Sequence, residues 1–93
     1  MNVSVKNMIS DNGNTIPNQF EIYSKGDYYF QSYDTIIAKL EIVKNKGRQI
    51  ILDTNALNYS RTTSKYLCRF LNMKRKEIEK GLKSGEIKLM NLN

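Results

Sequence analysis

The chain has 93 residues, of which 40% are hydrophobic and 26% are charged, and its formal net charge is +6. It contains no histidine, the commonest general base, and one cysteine, so neither an internal disulfide nor a cysteine-based metal site can form within one chain. No apolar run is long enough for a transmembrane helix, and residues 1–13 lack the apolar core of a signal peptide. We therefore expect one cytoplasmic domain, without membrane association and without a cofactor.

The positive charge is confined to the C-terminal third of the chain. Residues 1–58 contain six Lys or Arg and six Asp or Glu, which cancel, whereas residues 59–93 contain nine and three, a net charge of +6. This asymmetry predicts an anionic partner for the C-terminal part. The alternative is a helical surface that is only well solvated.

The first 53 residues contain the β-strand signals. Residues 1–19 are rich in turn formers, which predicts irregular structure or at most a short strand in "NVSV". Residues 20–53 alternate between apolar and polar side chains around the turns Gly26-Asp27 and "KNKG", which ends at Gly47. This pattern predicts a β-meander of three or four antiparallel strands with one apolar face that needs a cover.

From Ser60 the apolar period changes from 2 to 3.6, which predicts two helices over residues 60–84. We expect Gly81 to weaken the second helix by about 1 kcal/mol relative to Ala, and Gly85 to end it. Residues 86–90 alternate again and are a candidate edge strand. The predicted fold class is α+β, a small antiparallel sheet of three to five strands covered by two C-terminal helices. The predicted helix contacts with the sheet are Thr63, Tyr66, Leu67, Phe70, Leu71, Ile78 and Leu82.

The start of the first helix, "SRTTS", is unusually rich in hydroxyl groups. Ser60 is the predicted N-cap, because a hydroxyl oxygen can accept one of the N–H groups left free at a helix start. The functional alternative is an anion seat, in which these N–H groups, the hydroxyls, Arg61 and Lys65 hold a phosphate or a carboxylate.

A basic face follows: Arg61, Lys65 and Arg69 are spaced by four residues, and Lys74, Arg75 and Lys76 come directly after them. It could follow a nucleic-acid backbone, face an acidic protein surface, or face only water. The six tyrosines could likewise stack on bases or anchor an interface, with packing at a sheet edge as the alternative. The candidate binding residues are Tyr59, Ser60, Arg61, Thr62, Lys65, Arg69, Lys74, Arg75 and Lys76.

The residues that catalysis requires are largely missing. Cys68 lies beside the apolar arc of the first helix, which predicts a buried and inert thiol. Asp34 and Asp53 could approach each other across the sheet, but two carboxylates do not establish a magnesium site. We therefore predict no enzymatic activity and no bound metal.

Three segments of the chain resemble a family of small bacteriophage proteins of unknown function. They are "NQF" at residues 18–20, "FQSYDTII" at residues 30–37 and "YSRTTSKYLCRFL" at residues 59–71. Such proteins often have an aromatic residue such as Trp just before the Tyr-Ser pair, where this chain has Asn58. The resemblance implies phage origin and expression in a bacterial cytoplasm, and it implies no known activity.

Small phage proteins without catalytic groups usually act by binding. The expected function is therefore to bind and inhibit or redirect a host factor, a protein or a ribonucleoprotein, most concretely as an anti-CRISPR-like inhibitor. The alternative is a nucleic-acid-binding protein that holds RNA or DNA on its basic helix face. We also expect homodimerisation through an open sheet edge or through the second helix, because the core of so short a chain is small.

Overall fold

The fold is one six-stranded sheet with its helices in the C-terminal half, as seen in a computed structural model that describes residues 3–43 and 47–93. The strands are β1 (Val3–Ile9), β2 (Thr15–Ser24), β3 (Asp27–Ser32), β4 (Thr35–Val43), β5 (Gly47–Asp53) and β6 (Ile87–Met90). Between β5 and β6 lie a 3-10 turn (Ala56–Asn58) and the helices α1 (Arg61–Leu71) and α2 (Arg75–Ser84). The "KNKG" turn lies outside the described residues except for Gly47.

The strands lie in the sheet in chain order, and each is antiparallel to the next except that β5 and β6 are parallel. The α+β class is confirmed. The predicted strand number of three to five and the purely antiparallel arrangement are wrong. The two helices carry the chain back along the sheet before β6, so this strand runs in the same direction as β5.

The prediction for residues 1–19, irregular structure or a short strand in "NVSV", contains too little strand for the part that is described: β1 includes "VSV" of the predicted strand and extends to Ile9, and β2 begins at Thr15. The turn formers are confined to a tight connection in which the Ser10 N–H donates to the Asn14 carbonyl at 2.8 Å. On either side, β1 and β2 pair as a hairpin and bury Met8 and Ile16 in the core. Burial of these two apolar side chains outweighs the local preference for turns.

A β-bulge in β4 breaks the predicted alternation of side chains. Phe30 lies opposite Ala38, whereas the next residue of β3, Gln31, lies opposite Ile36. Ile37 is therefore the extra residue of the bulge, and it joins Ala38 in the core instead of pointing to the opposite face. Period-2 reasoning cannot locate such an insertion.

The main core lies between the helices and one face of the sheet. The Phe30 ring of β3 stacks on the Phe70 ring of α1, with 5.7 Å between the centroids. Leu67 of α1, Ile78 of α2 and Leu52 of β5 are almost completely buried in the same cluster. The predicted role of the two helices as the cover of the sheet thus agrees with the packing.

Helix α2 packs unusually closely on β6. A Cβ atom placed on Gly81 would lie 2.6 Å from Cδ1 of Ile87 and 2.7 Å from its Cγ1. Glycine therefore fits the close approach of the helix to the strand, and a larger residue would force the Ile87 side chain to shift. Gly85 ends the helix in the left-handed conformation, as expected.

The segment after β6 folds back over the end of β5. Asn93 pairs with the backbone of Ile36, its Oδ1 accepting from the N–H at 2.8 Å and its Nδ2 donating to the carbonyl at 2.9 Å. Asp53 accepts from the N–H groups of Leu92 and Asn55 and from the Asn93 amide. Burial raises the pKa of Asp53, but these hydrogen bonds to the carboxylate outweigh it, so the pKa is lowered.

Candidate functional site

The hydroxyl groups at the start of α1 hold the helix to the sheet. Ser60 Oγ accepts from the Thr63 N–H at 3.3 Å, so the prediction that Ser60 is the N-cap is confirmed. Thr63 is buried, and its Oγ1 lies 3.0 Å from Ser32 Oγ on β3. Two of the hydroxyls in "SRTTS" are thus explained by capping and by a buried link between helix and strand, without a ligand.

Gln19 extends this polar junction on β2. It lies directly opposite Ser32 in the β2–β3 pairing, and only 1% of its surface is exposed. Its Oε1 has no hydrogen-bond partner within the described part of the chain. Sequence reasoning missed Gln19, because the neighbouring Phe20 is the residue that alternation favours for burial.

A shallow depression of about 290 Å³ lies on the outer side of the helix layer and brings four of the predicted site residues together. It contains three cationic side chains and no Asp or Glu. Tyr59 is 38% exposed at this surface. We call this surface the basic depression; its lining residues are Tyr59, Arg61, Ser64, Lys65, Cys68 and Arg75.

Three elements position the basic depression. Tyr59 directly follows the 3-10 turn, and Arg61 and Lys65 lie one turn apart on α1. Arg75 is the first residue of α2, and its Nη2 donates to the carbonyl oxygen of Leu57 in the 3-10 turn at 3.4 Å. That hydrogen bond brings the third cation beside the other two, a contact that spacing along the chain does not predict.

An acid lies beside the C-terminal end of the basic face on α1. Arg69 Nη2 lies 3.3 Å from Oδ1 of Asp11, an exposed residue in the β1–β2 connection. Arg69 and Lys74 line a neighbouring depression that also contains the carboxylate of Glu77. Spacing by four residues places cations on one helix face, but it cannot show which acid folds onto that face.

The remaining candidates are exposed but do not line the basic depression. Thr62 and Lys76 belong to this group, as does Ser60, which serves as the cap. Among the tyrosines, Tyr23 and Tyr28 pair on the sheet with 4.9 Å between their ring centroids. Tyr29 follows Tyr28 in β3 and points to the opposite face of the sheet, so the tyrosines do not form one common binding face.

The groups considered for catalysis are dispersed. Cys68 packs against the core and also lines the basic depression, so its thiol is only partly buried instead of fully buried. Asp34 accepts from the Thr35 hydroxyl at 3.2 Å, whereas Asp53 holds the segment after β6. Within residues 3–43 and 47–93, no three His, Cys, Asp or Glu residues form a group that could hold a metal ion. None of the helices described is both long and apolar enough to cross a membrane.

The fold and the site define a small α+β protein with helices on one face of a mixed sheet and a cationic surface on those helices. The chain belongs to the family of unknown function DUF8033, whose model matches residues 3–87. Searches of curated proteins and of solved structures found no match.

Proposed function

We propose that this chain is a small non-enzymatic protein that binds a nucleic acid, free or within a host ribonucleoprotein, through the basic depression. The observation that carries the proposal is the convergence of Arg61, Lys65 and Arg75 around one surface without a carboxylate. Closely spaced cations neutralise successive phosphates and release their counterions, which favours a polyanion over a single small anion.

Tyr59 favours a nucleic acid over an acidic protein as the occupant. Its ring is part of the same surface and is partly exposed, so a base can stack on it while the neighbouring cations contact phosphates. The basic depression is open and shallow, which suits an extended strand better than a small enclosed ligand.

The setting that we propose is a bacteriophage protein acting in the host cytoplasm, where binding would inhibit or redirect a host factor. An anti-CRISPR-like role is the most concrete form, because a guide RNA within a host complex would present the required phosphates. The support for this setting is the resemblance of residues 18–20, 30–37 and 59–71 to small phage proteins. The basic depression supports only the binding of a polyanion.

The test is fluorescence anisotropy with a labelled single-stranded RNA, repeated with a DNA of the same sequence. If about three phosphates are neutralised, log K falls with log salt with a slope of about −2, so the affinity drops roughly 20-fold between 50 and 200 mM salt. The triple variant Arg61→Gln, Lys65→Gln, Arg75→Gln should lose most of the binding and most of this slope.

The matched control is Lys76→Gln, Lys80→Gln, Lys83→Gln, which removes the same charge from α2 outside the basic depression. It should retain most of the affinity, whereas a general charge effect would weaken both triple variants equally. Absence of binding to either nucleic acid at 50 mM salt, or binding unchanged by loss of the three depression cations, would contradict the proposal. A host protein that binds without RNA and is lost only in the first variant would reassign the same surface to a protein partner.

A further inference from the structure

The sheet face that points away from the helices carries a band of apolar side chains. Because directly paired residues point to the same side of a sheet, the strand register places one residue from each strand in a single row. The row is Val5, Ile22, Tyr29, Lys39, Ile51 and Lys88, from β1 to β6. Four of these six side chains are apolar or aromatic. We call this side the open sheet face.

Other side chains widen the apolar band, and the described helices do not cover it. The adjacent row contributes Phe20 and Ile36, and Val3 lies on the same face near the end of β1. The core cluster with the helices includes none of these residues. Val3 and Val5, on the edge strand β1, are 56% and 58% exposed, whereas Ile51 between Lys39 and Lys88 is only 5% exposed. The solvent face of an antiparallel sheet is usually polar, so an apolar band here indicates a surface that is covered by a partner.

The charges on the open sheet face are balanced, unlike those on the helix layer. Lys39 Nζ lies 3.8 Å from Asp27 and 4.0 Å from Glu41, and Lys88 is the second cation. The two cations and the two acids, Asp27 at 23% and Glu41 at 39% side-chain exposure, give this surface no preference for an anionic partner. Across a two-fold axis, such a surface can place its acids against the cations of a second copy around the apolar band.

We propose that a second copy of this chain docks on the open sheet face, so that two sheets pack face to face about a two-fold axis. Six strands at about 4.8 Å spacing are roughly 24 Å wide, and the longer strands extend about 30 Å. The projected area is therefore about 700 Å² per copy, close to the ~800 Å² that each partner contributes to a stable interface of standard size. Packed sheets with about 10 Å between them would bury the rows of both copies.

This arrangement is independent of nucleic-acid binding, because the basic depression lies on the far side of the helices. It also differs from pairing through the outer edge of β1, which would extend the sheet and leave the apolar band in water. The two arrangements can be separated experimentally, since only edge pairing protects the outward N–H groups of β1 from exchange.

The primary test is sedimentation equilibrium over a concentration series. The wild type should approach twice the chain mass of 10.8 kDa in the micromolar range. Val5→Glu places two carboxylates in the apolar band of the dimer and should weaken dimerisation by at least about tenfold. Because Val5 is exposed in the single chain, the Val5→Glu variant should have the same far-UV circular dichroism as the wild type.

The matched control is Ile42→Glu, which adds the same charge at a side chain of similar exposure, 50%, on the helix side of the sheet. It should leave the dimer intact. Concentration-dependent NMR shifts should fall on Ile22 and Tyr29 and spare α1. A monomer at all accessible concentrations, equal weakening by both variants, or a dimer with protected β1 amides would each overturn the proposal.

Discussion

Replacing Gly81 by Ala tests the packing of α2 most directly, because helix propensity and tertiary structure predict opposite signs. In an exposed helix, the change should stabilise the protein by about 1 kcal/mol. Here the added methyl group would lie 2.6 Å from Cδ1 of Ile87 and 2.7 Å from Cγ1. Ile87 is 3% exposed and belongs to the core, so its side chain cannot turn away into solvent.

The expected net effect follows from these two contributions. Overpacking of a filled core costs about 1–3 kcal/mol, and the propensity gain offsets about 1 kcal/mol of it. Gly81→Ala should therefore lower the free energy of unfolding by about 1 kcal/mol, within a range of about 0–2. For a domain of this size, a loss of about 1 kcal/mol lowers Tm by about 4–8 °C.

Urea denaturation followed by circular dichroism measures this loss, and a double-mutant cycle assigns it. Ile87→Val removes the nearer of the two contacted atoms, so Gly81→Ala should cost less in that background than in the wild type. Lys83→Ala, on the exposed side of the same helix, is the control for propensity and should change stability by only a few tenths of a kcal/mol. A higher urea midpoint for Gly81→Ala would refute the close packing of α2 on β6.

Two further predictions concern the polar groups that fix the ends of the sheet. The pKa of Asp53 is lowered on folding. The stability that Asp53 contributes is therefore present above its unfolded pKa near 3.8 and is lost as the pH falls through its folded pKa. The urea midpoint should decrease below about pH 4, and this decrease should be smaller in Asp53→Asn. Thr63→Val leaves the buried Ser32 hydroxyl without its partner and should cost about 1–3 kcal/mol in urea denaturation. The cost of Thr63→Val should shrink in a Ser32→Ala background, and an equal cost there would contradict the link.

The periodic parts of this fold could be predicted from the sequence because they depend on neighbours in the chain. Alternation identified the strands between residues 20 and 53, and the 3.6-residue period identified both helices. Ser60 and Gly85 were identifiable because capping is a local hydrogen-bonding problem.

The features that sequence reasoning missed all depend on contacts between distant segments. Ile37 is buried because a bulge adds a residue to β4, and the hairpin before residue 19 forms because Met8 and Ile16 find a core elsewhere. Gly81 reads as a weak point of a helix until β6 is placed against it. Local propensity cannot predict these features, since each depends on a contact with an atom of another strand or helix.

The candidate site likewise combines residues that spacing along the chain predicts with contacts that only the fold provides. Spacing placed Arg61, Lys65 and Arg69 on one face of α1, with Arg75 in the basic run that follows. The fold brings Arg61, Lys65 and Arg75 around one depression, whereas Arg69 lies beside the exposed Asp11. The hydrogen bond from Arg75 to the 3-10 turn holds Arg75 in this position. The cations of the basic depression thus form a cluster to which both α1 and α2 contribute.

The two surfaces proposed for binding differ in the physics that would drive association, and this difference keeps their functions separable. Around the basic depression, like charges converge, so binding there should weaken steeply with salt. On the open sheet face, Lys39 is already paired with Asp27 and Glu41, so association there would be driven by apolar burial and should change little with salt. A dimer packed through the sheets would carry its two basic depressions on opposite outer sides, so one short strand could occupy only one of them. A gain in affinity from the second basic depression would therefore require a nucleic acid long enough to reach both depressions, or two separate nucleic acids.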